Sequence, residues 1–166
     1  LSAVFVTLDP GQRTGVAVWD ADTFNERVRP VSVSMLTVGP GRREWPWAER
    51  CKALGDKFAG LFKWQTVVRV YCELPAFFEG ATGHAAAAKG DVVKLAYLVG
   101  VYAGICHARG VVFSPVPVIE WKGQLSKEIV ARRIVKKIGR TAQDGQEFHA
   151  DIWDAVGIGL YVKGLF

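Results

Sequence analysis

The sequence predicts a mixed α/β fold, a five-stranded β-sheet flanked by α-helices. Three short β-branched apolar runs follow one another before Gly39, with gaps short enough for hairpin connections. Beyond them, strand-like runs alternate with segments whose apolar residues recur at helical spacing, as crossover-linked parallel strands require. The 166 residues are 50% apolar and 22% charged, the make-up of one globular domain with a real core, spanning residues 1–166.

The elements follow in order. Ala3 to Asp9 is an apolar run closed by Asp-Pro-Gly, a buried strand followed by a turn. Gly15 to Asp20 and Val31 to Val38 are the second and third strands, separated by a polar, turn-like stretch. Gly39-Pro40-Gly41 breaks the chain. From Trp47 to Trp64, the residues Trp47, Cys51, Leu54, Phe58, Leu61 and Phe62 mark one helical face. Val67 to Leu74 is the fourth strand, and a Gly/Ala-rich segment follows it. Asp91 is placed to cap a helix running to Arg109, with Gly110 ending it. Val111 to Val118 is the fifth strand. Ser126 caps a short helix that Gly139 terminates, and a last helix spans roughly Glu147 to Val162. This order is the one found in the RNase H-like fold.

Composition narrows the function classes. Lys and Arg outnumber Asp and Glu, 21 to 16, for a net charge of +5 that favours a polyanionic partner. The longest apolar run, Leu95 to Cys106, is too short to cross a bilayer, which takes about 20 residues. No basic patch leads into an apolar signal segment, so no targeting peptide is expected. Cys51, Cys72 and Cys106 are odd in number and lack metal-like spacing, which fits a reducing compartment.

The acids that end strands or open helices are the candidates for chemistry. Asp9 ends the first strand, Glu73 nearly ends the fourth, and Asp151 and Asp154 sit three apart in the last helix, expected to face one way. Sites in parallel sheets gather at the carboxyl ends of the strands. Four carboxylates there suit two divalent metals, which prefer oxygen ligands and can drive phosphodiester hydrolysis. Each acid also has an ordinary reading. Asp-Pro-Gly is a common turn, and acids in a first helical turn are favoured by the macrodipole. Glu73 is the hardest to explain that way, because a carboxylate at the end of an apolar strand is costly unless paired or metal-bound.

Leu8-Asp9-Pro10-Gly11 with Thr14-Gly15, Cys72-Glu73 followed by Phe77, and the closing Asp151-Ile152-Trp153-Asp154-Ala155 together resemble the RuvC-type Holliday-junction resolvases. Lys94-Leu95 with Gly100 is similar to that family's central helix, and the resemblance extends from Val4 to about Val162. It implies an RNase H-like fold and a homodimeric, Mg²⁺- or Mn²⁺-dependent endodeoxyribonuclease acting in recombination and repair. Such an enzyme resolves four-way junctions and other branched DNA by paired nicks, with two metals per site. By position, Asp9, Glu73, Asp151 and Asp154 match the metal-binding carboxylates, and Lys122 and Lys127 match lysines near the active site. The compact chain looks most like phage-encoded members, which implies a cytoplasmic setting in a bacterium or a phage-infected cell. Two departures stand out: a turn at Gly11–Gly15 one residue shorter than usual, and a dissimilar link from Gly139 to Phe148.

A basic segment precedes the last acidic pair. Lys122, Lys127, Arg132, Arg133, Lys136, Lys137 and Arg140 make up a third of the chain's basic residues, opposed only by Glu128. With Ile129, Val130, Ile134 and Ile138 as the apolar stripe, the cations fall on an outer face suited to a phosphate backbone, though most charge runs are simply solvated. Lys122 is a candidate to neutralise the transition-state phosphate. Phe77 and Phe78 are placed to stack on or wedge between bases, unless they belong to the core. Arg13, in the first hairpin turn, is a further phosphate contact. His149 is read first as a residue at the start of the helix, with a supporting or proton-shuttling role as alternatives; His84 and His107 are read as surface residues. Ala96, Gly100, Gly104 and Ala108 repeat every four residues on the Asp91–Arg109 helix, which serves either a dimer contact or packing on the chain's own sheet.

Other functions remain open on these residues. The chain is alternatively similar to YqgF-type nucleases acting on RNA, or a catalytically silent module that binds branched DNA. A sugar kinase or actin-like ATPase would share the glycine turn but needs two domains.

Overall fold

The computed structural model describes residues 2–23, 26, 28–39, 44–75, 90–139 and 149–166. Its sheet contains β1 (Ala3–Asp9), β2 (Arg13–Asp20), β3 (Ser32–Thr37), β4 (Thr66–Leu74) and β5 (Val112–Pro117), in the order β3-β2-β1-β4-β5. The first three strands form an antiparallel meander, and β1, β4 and β5 run parallel. The expected five-stranded mixed sheet is therefore present. Pro115 and Pro117 are tolerated in β5 because it is an edge strand.

The helices are α1 (Trp47–Leu61), α2 (Asp91–His107), α3 (Val118–Trp121), α4 (Lys127–Ile138) and α5 (Ala150–Val162). They cover the sheet on two sides. Val4, Val6, Leu8, Val16, Val18, Val70 and Cys72 point to one face, with Leu54 and Phe58 of α1 and Leu98 and Tyr102 of α2. Phe5, Ala17 and Trp19 point to the other, with Trp121, Ile134, Ala155 and Ile158. A register shift between Val4 and Phe5 leaves Val68 unpaired in β4 and half-exposed, so Val67 and Val70 both reach the first core.

Several local expectations need correction. Gly90, in a left-handed conformation, is the N-cap of α2, and Asp91 is its first residue. β2 begins at Arg13, which pairs with Thr37, so Arg13 lies in the strand rather than in the turn. Val118 belongs to α3, a single helical turn, rather than to the fifth strand. Ile129 is exposed; the stripe of α4 is Val130, Ile134 and Ile138, at strict four-residue spacing. The caps of α4 are as expected: the Ser126 hydroxyl accepts from the Ile129 N–H, and Gly139 has φ 69°. The three cysteines are buried and free. Among the described residues, no helix is long and apolar enough to cross a membrane.

Candidate metal centre

Strand alternation sets the first two acids. In β1, Val4, Val6 and Leu8 enter the first core, so Phe5, Thr7 and Asp9 line the opposite face. In β4, Val70 and Cys72 enter the first core, which places Tyr71 and Glu73 beside that same row. Leu8 is in register with Cys72 in a parallel pair, so one step further Asp9 and Glu73 stand side by side at the carboxyl ends of their strands. α5 lies across this face and brings in Asp154. One carboxylate oxygen from each of Asp9, Glu73 and Asp154 lies within 4.8 Å of the others.

The approach of α5 depends on glycine and on a buried polar relay. A Cβ on Gly15 would overlap the Asp151 carbonyl, and one on Gly159 would overlap the Trp19 indole. Trp19 Nε1–H donates to Thr7 Oγ1 (3.0 Å), and Thr7 Oγ1–H donates to the Ala155 carbonyl (2.7 Å). These contacts fix α5 on β1 and β2 one residue beyond Asp154.

Lys122 closes the group. Its Nζ donates to Asp154 Oδ2 at 2.8 Å and lies 3.2 Å from Glu73 Oε2. Trp121 Nε1–H donates to the same Glu73 oxygen at 2.9 Å, and the Lys122 ammonium sits 4.6 Å from the Trp121 ring centroid. Burial pushes the Asp9 carboxyl well above the usual carboxylate range, and the charges of Glu73 and Asp154 push it further. Burial also raises Glu73, against the opposing pull of Lys122. For Lys122, burial works downward, but Glu73, Asp154 and Asp9 outweigh it and hold the ammonium charged. Among the described residues one ammonium faces three carboxylates, so the cluster keeps an excess of acid. An all-oxygen donor set this close fits a hard divalent cation such as Mg²⁺ or Mn²⁺.

The remaining candidates are distributed unequally. Asp151 does not join the three clustered acids. Its carboxylate lies at the rim, 3.0 Å from His149 Nδ1 and 3.9 Å from Lys127 Nζ. Asp151 and Asp154 share the side of α5 that faces the cluster, since the Asp151 charge also raises Asp9, but Asp154 is buried among the acids while Asp151 stands further out, against His149 and Lys127. His149 is the N-cap of α5, where its Nδ1 accepts from the Asp151 N–H at 3.4 Å. Lys127, Arg132 and Arg133 are exposed on α4, with the Arg133 guanidinium over the Phe166 ring. Phe77, Phe78, His84 and Arg140 lie outside the described residues. His107 is on the surface. Ala96, Gly100, Gly104 and Ala108 of α2 and its C-cap are exposed, and among the described residues a Cβ at Gly100 or Gly104 would meet nothing within 4 Å. The small-residue stripe therefore does not serve packing on the chain's own sheet. Trp121 is the site residue that sequence reasoning missed. The available signal was an indole between Glu120 and Lys122 just beyond the fifth strand, because a buried Trp N–H needs an acceptor.

No family model matches the chain, and no curated protein matches it by sequence. Solved structures do. Thermus thermophilus RuvC superposes with a TM-score of 0.66 at 18% identity, covering 95% of this chain and 91% of that one. T. thermophilus RuvC in complex with Holliday junction substrate gives 0.66 at 15% identity, covering 98% and 97%. The chain has the RuvC fold. It is an RNase H-like fold, as the element order predicts. On this RuvC fold the clustered acids come from the first strand, the fourth strand and the last helix, three elements far apart in sequence.

Proposed function

We propose that the chain is a homodimeric, RuvC-type, metal-dependent endonuclease that cuts four-way and other branched DNA. The observation that carries this reading is the cluster of Asp9, Glu73 and Asp154 beside Lys122, at the carboxyl ends of parallel strands. The RuvC fold supports it, since one structure with that fold holds a Holliday junction substrate.

Asp9, Glu73 and Asp154 would hold a divalent ion, and Asp151, at the rim, is the fourth carboxylate that a second ion would use. Bound there, Mg²⁺ or Mn²⁺ supplies activation of water and neutralisation of the scissile phosphate. The protein's own groups do the rest. Lys122 balances the carboxylates and is a cationic donor within the cluster for a phosphate oxygen bearing developing charge. Lys127, Arg132 and Arg133 line an exposed basic face of α4 next to the Asp151 rim, where they hold phosphates ahead of the cut. Arg13, at the start of β2, is a further phosphate contact, and Phe77 or Phe78 is the residue that engages bases. The exposed face of α2, with Val93, Tyr97, Gly100 and Gly104, is the dimer surface. A two-fold pair of sites there would give symmetric nicks. The whole chain acts as one nuclease domain in the cytoplasm.

The test is a labelled immobile four-way junction incubated with Mg²⁺, Mn²⁺ or EDTA, beside a linear duplex and an RNA hairpin. Paired nicks that vanish with EDTA, and fall at least about 10³-fold in Glu73→Gln, are expected. Tight junction binding without cutting in either metal would replace the reading with a binding module. Cleavage of RNA alone would replace it with an RNA nuclease.

A further inference from the structure

We propose that Trp121 is a positioning residue that turns Glu73 into a one-oxygen ligand of the metal centre. The inference rests on the metal-centre reading above and adds a role for a side chain outside the carboxylate set.

The argument starts from lone pairs. A carboxylate offers about four acceptor positions, two on each oxygen. At Glu73 the described donors both use Oε2: Trp121 Nε1–H at 2.9 Å and Lys122 Nζ at 3.2 Å. With Oε2 occupied twice, Oε1 is the Glu73 oxygen that no described donor occupies, and it is the one left for a cation. Lys122 alone could not hold this arrangement, because its closer partner is Asp154 at 2.8 Å and its stem is flexible. Trp121 is rigid and 3% exposed. The Phe166 ring packs on it in an edge arrangement at 5.4 Å, and α5 passes so close that a Cβ on Gly157 would lie 2.6 Å from its ring. The same indole faces the Lys122 ammonium, so one side chain orients both members of the Glu73–Lys122 pair. The single turn of α3 sets this up, placing Trp121 and Lys122 consecutively at its end. Hydrogen-bond partners of metal ligands commonly affect metal affinity 10–100-fold.

The test uses the full chain and Mn²⁺, with affinity read by electron paramagnetic resonance of free Mn²⁺. Trp121→Phe keeps a ring against Phe166, Gly157 and Lys122 but removes the N–H. It is expected to weaken Mn²⁺ binding roughly tenfold. A benzothienylalanine in place of Trp121, equal in shape and lacking only the N–H, is expected to do the same and serves if Trp121→Phe does not fold. In a Glu73→Ala background, Trp121→Phe should cause no further loss, since its effect runs through Glu73. A structural role would instead lower the melting temperature in EDTA and weaken Mn²⁺ equally in both backgrounds, which overturns the proposal. Unchanged Mn²⁺ affinity in the benzothienylalanine protein overturns it as well, as does a wild-type chain that binds no Mn²⁺. Mn²⁺ binding that depends on Trp121, in a protein that cuts no junction, would sustain this inference and sink the junction reading alone.

Discussion

On the α1–α2 side of the sheet, β1 contributes Val4, Val6 and Leu8; on the α5 side, the same strand contributes Phe5, Thr7 and Asp9. The first side is mostly apolar: Arg50 of α1 is buried on it beside the Trp47 ring, and near its end the Thr14 hydroxyl and Tyr102 hydroxyl satisfy each other at 2.7 Å. The second side changes character along the strand: stacked aromatics at Phe5 and Trp19, then the Thr7 relay, then acids. On the first side, the two hydroxyls are partners of each other, so burying them costs little more. On the second, three carboxylates share one ammonium, and burial holds Asp9 and Glu73 above their usual range. The apolar side and the acidic side are the two faces of one sheet, and the difference is that like charges are buried together on the second.

Substitutions on the two sides should separate. Gly15→Ala has the largest expected effect. Its Cβ would overlap the backbone of α5, so the helix must move away from β2, taking Asp154 with it. Urea unfolding should show a loss of more than about 3 kcal/mol, accompanied by loss of Mn²⁺ binding. Leu98→Ala, on the first side, should cost about 3 kcal/mol through the cavity it leaves, yet the folded protein should bind Mn²⁺ with unchanged affinity. Equal loss of metal binding in both variants would abolish the distinction between the faces.

Asp9→Asn has the smallest effect on stability and the opposite sign. It removes a buried acid whose charged form is penalised, so stability in EDTA at pH 8 should rise by on the order of 1 kcal/mol while cleavage is lost. The pH dependence follows from the same shift. A carboxyl raised in the folded state gives its full contribution below the unfolded value, about 3.9, and loses it as pH rises through the folded value. The advantage of Asp9→Asn over wild type in EDTA should therefore shrink as pH falls from 8 toward 4. In Mn²⁺ the wild-type trend reverses, because ion binding needs the Asp9 proton removed and tightens as pH rises. Denaturation curves at several pH values in the two conditions would show both slopes; parallel curves for wild type and Asp9→Asn would refute the burial argument.

Much of this was written in local sequence. The two-residue period of β1 and β4 already puts Asp9 in the row of Phe5 and Glu73 in the row of Tyr71, because side chains alternate about a strand. Ser126 and Gly139 bound α4 through hydrogen bonding and φ, both local properties. The meander and the crossovers follow from the lengths of the connections. Tertiary structure decided the rest. Asp151 and Asp154 are equally good candidates by spacing, yet only Asp154 reaches the cluster, because the rotation of α5 about its axis is set by Gly15, Gly159 and the Thr7 bond. Lys122 joins and Lys127 stays exposed because the single turn of α3 folds the first back over Glu73. Trp121 acquired its place only when β4 and α3 met. Sequence periodicity specifies which way a side chain points from its own element, but which side chains meet depends on how separate elements dock, and that is settled by packing over the whole chain.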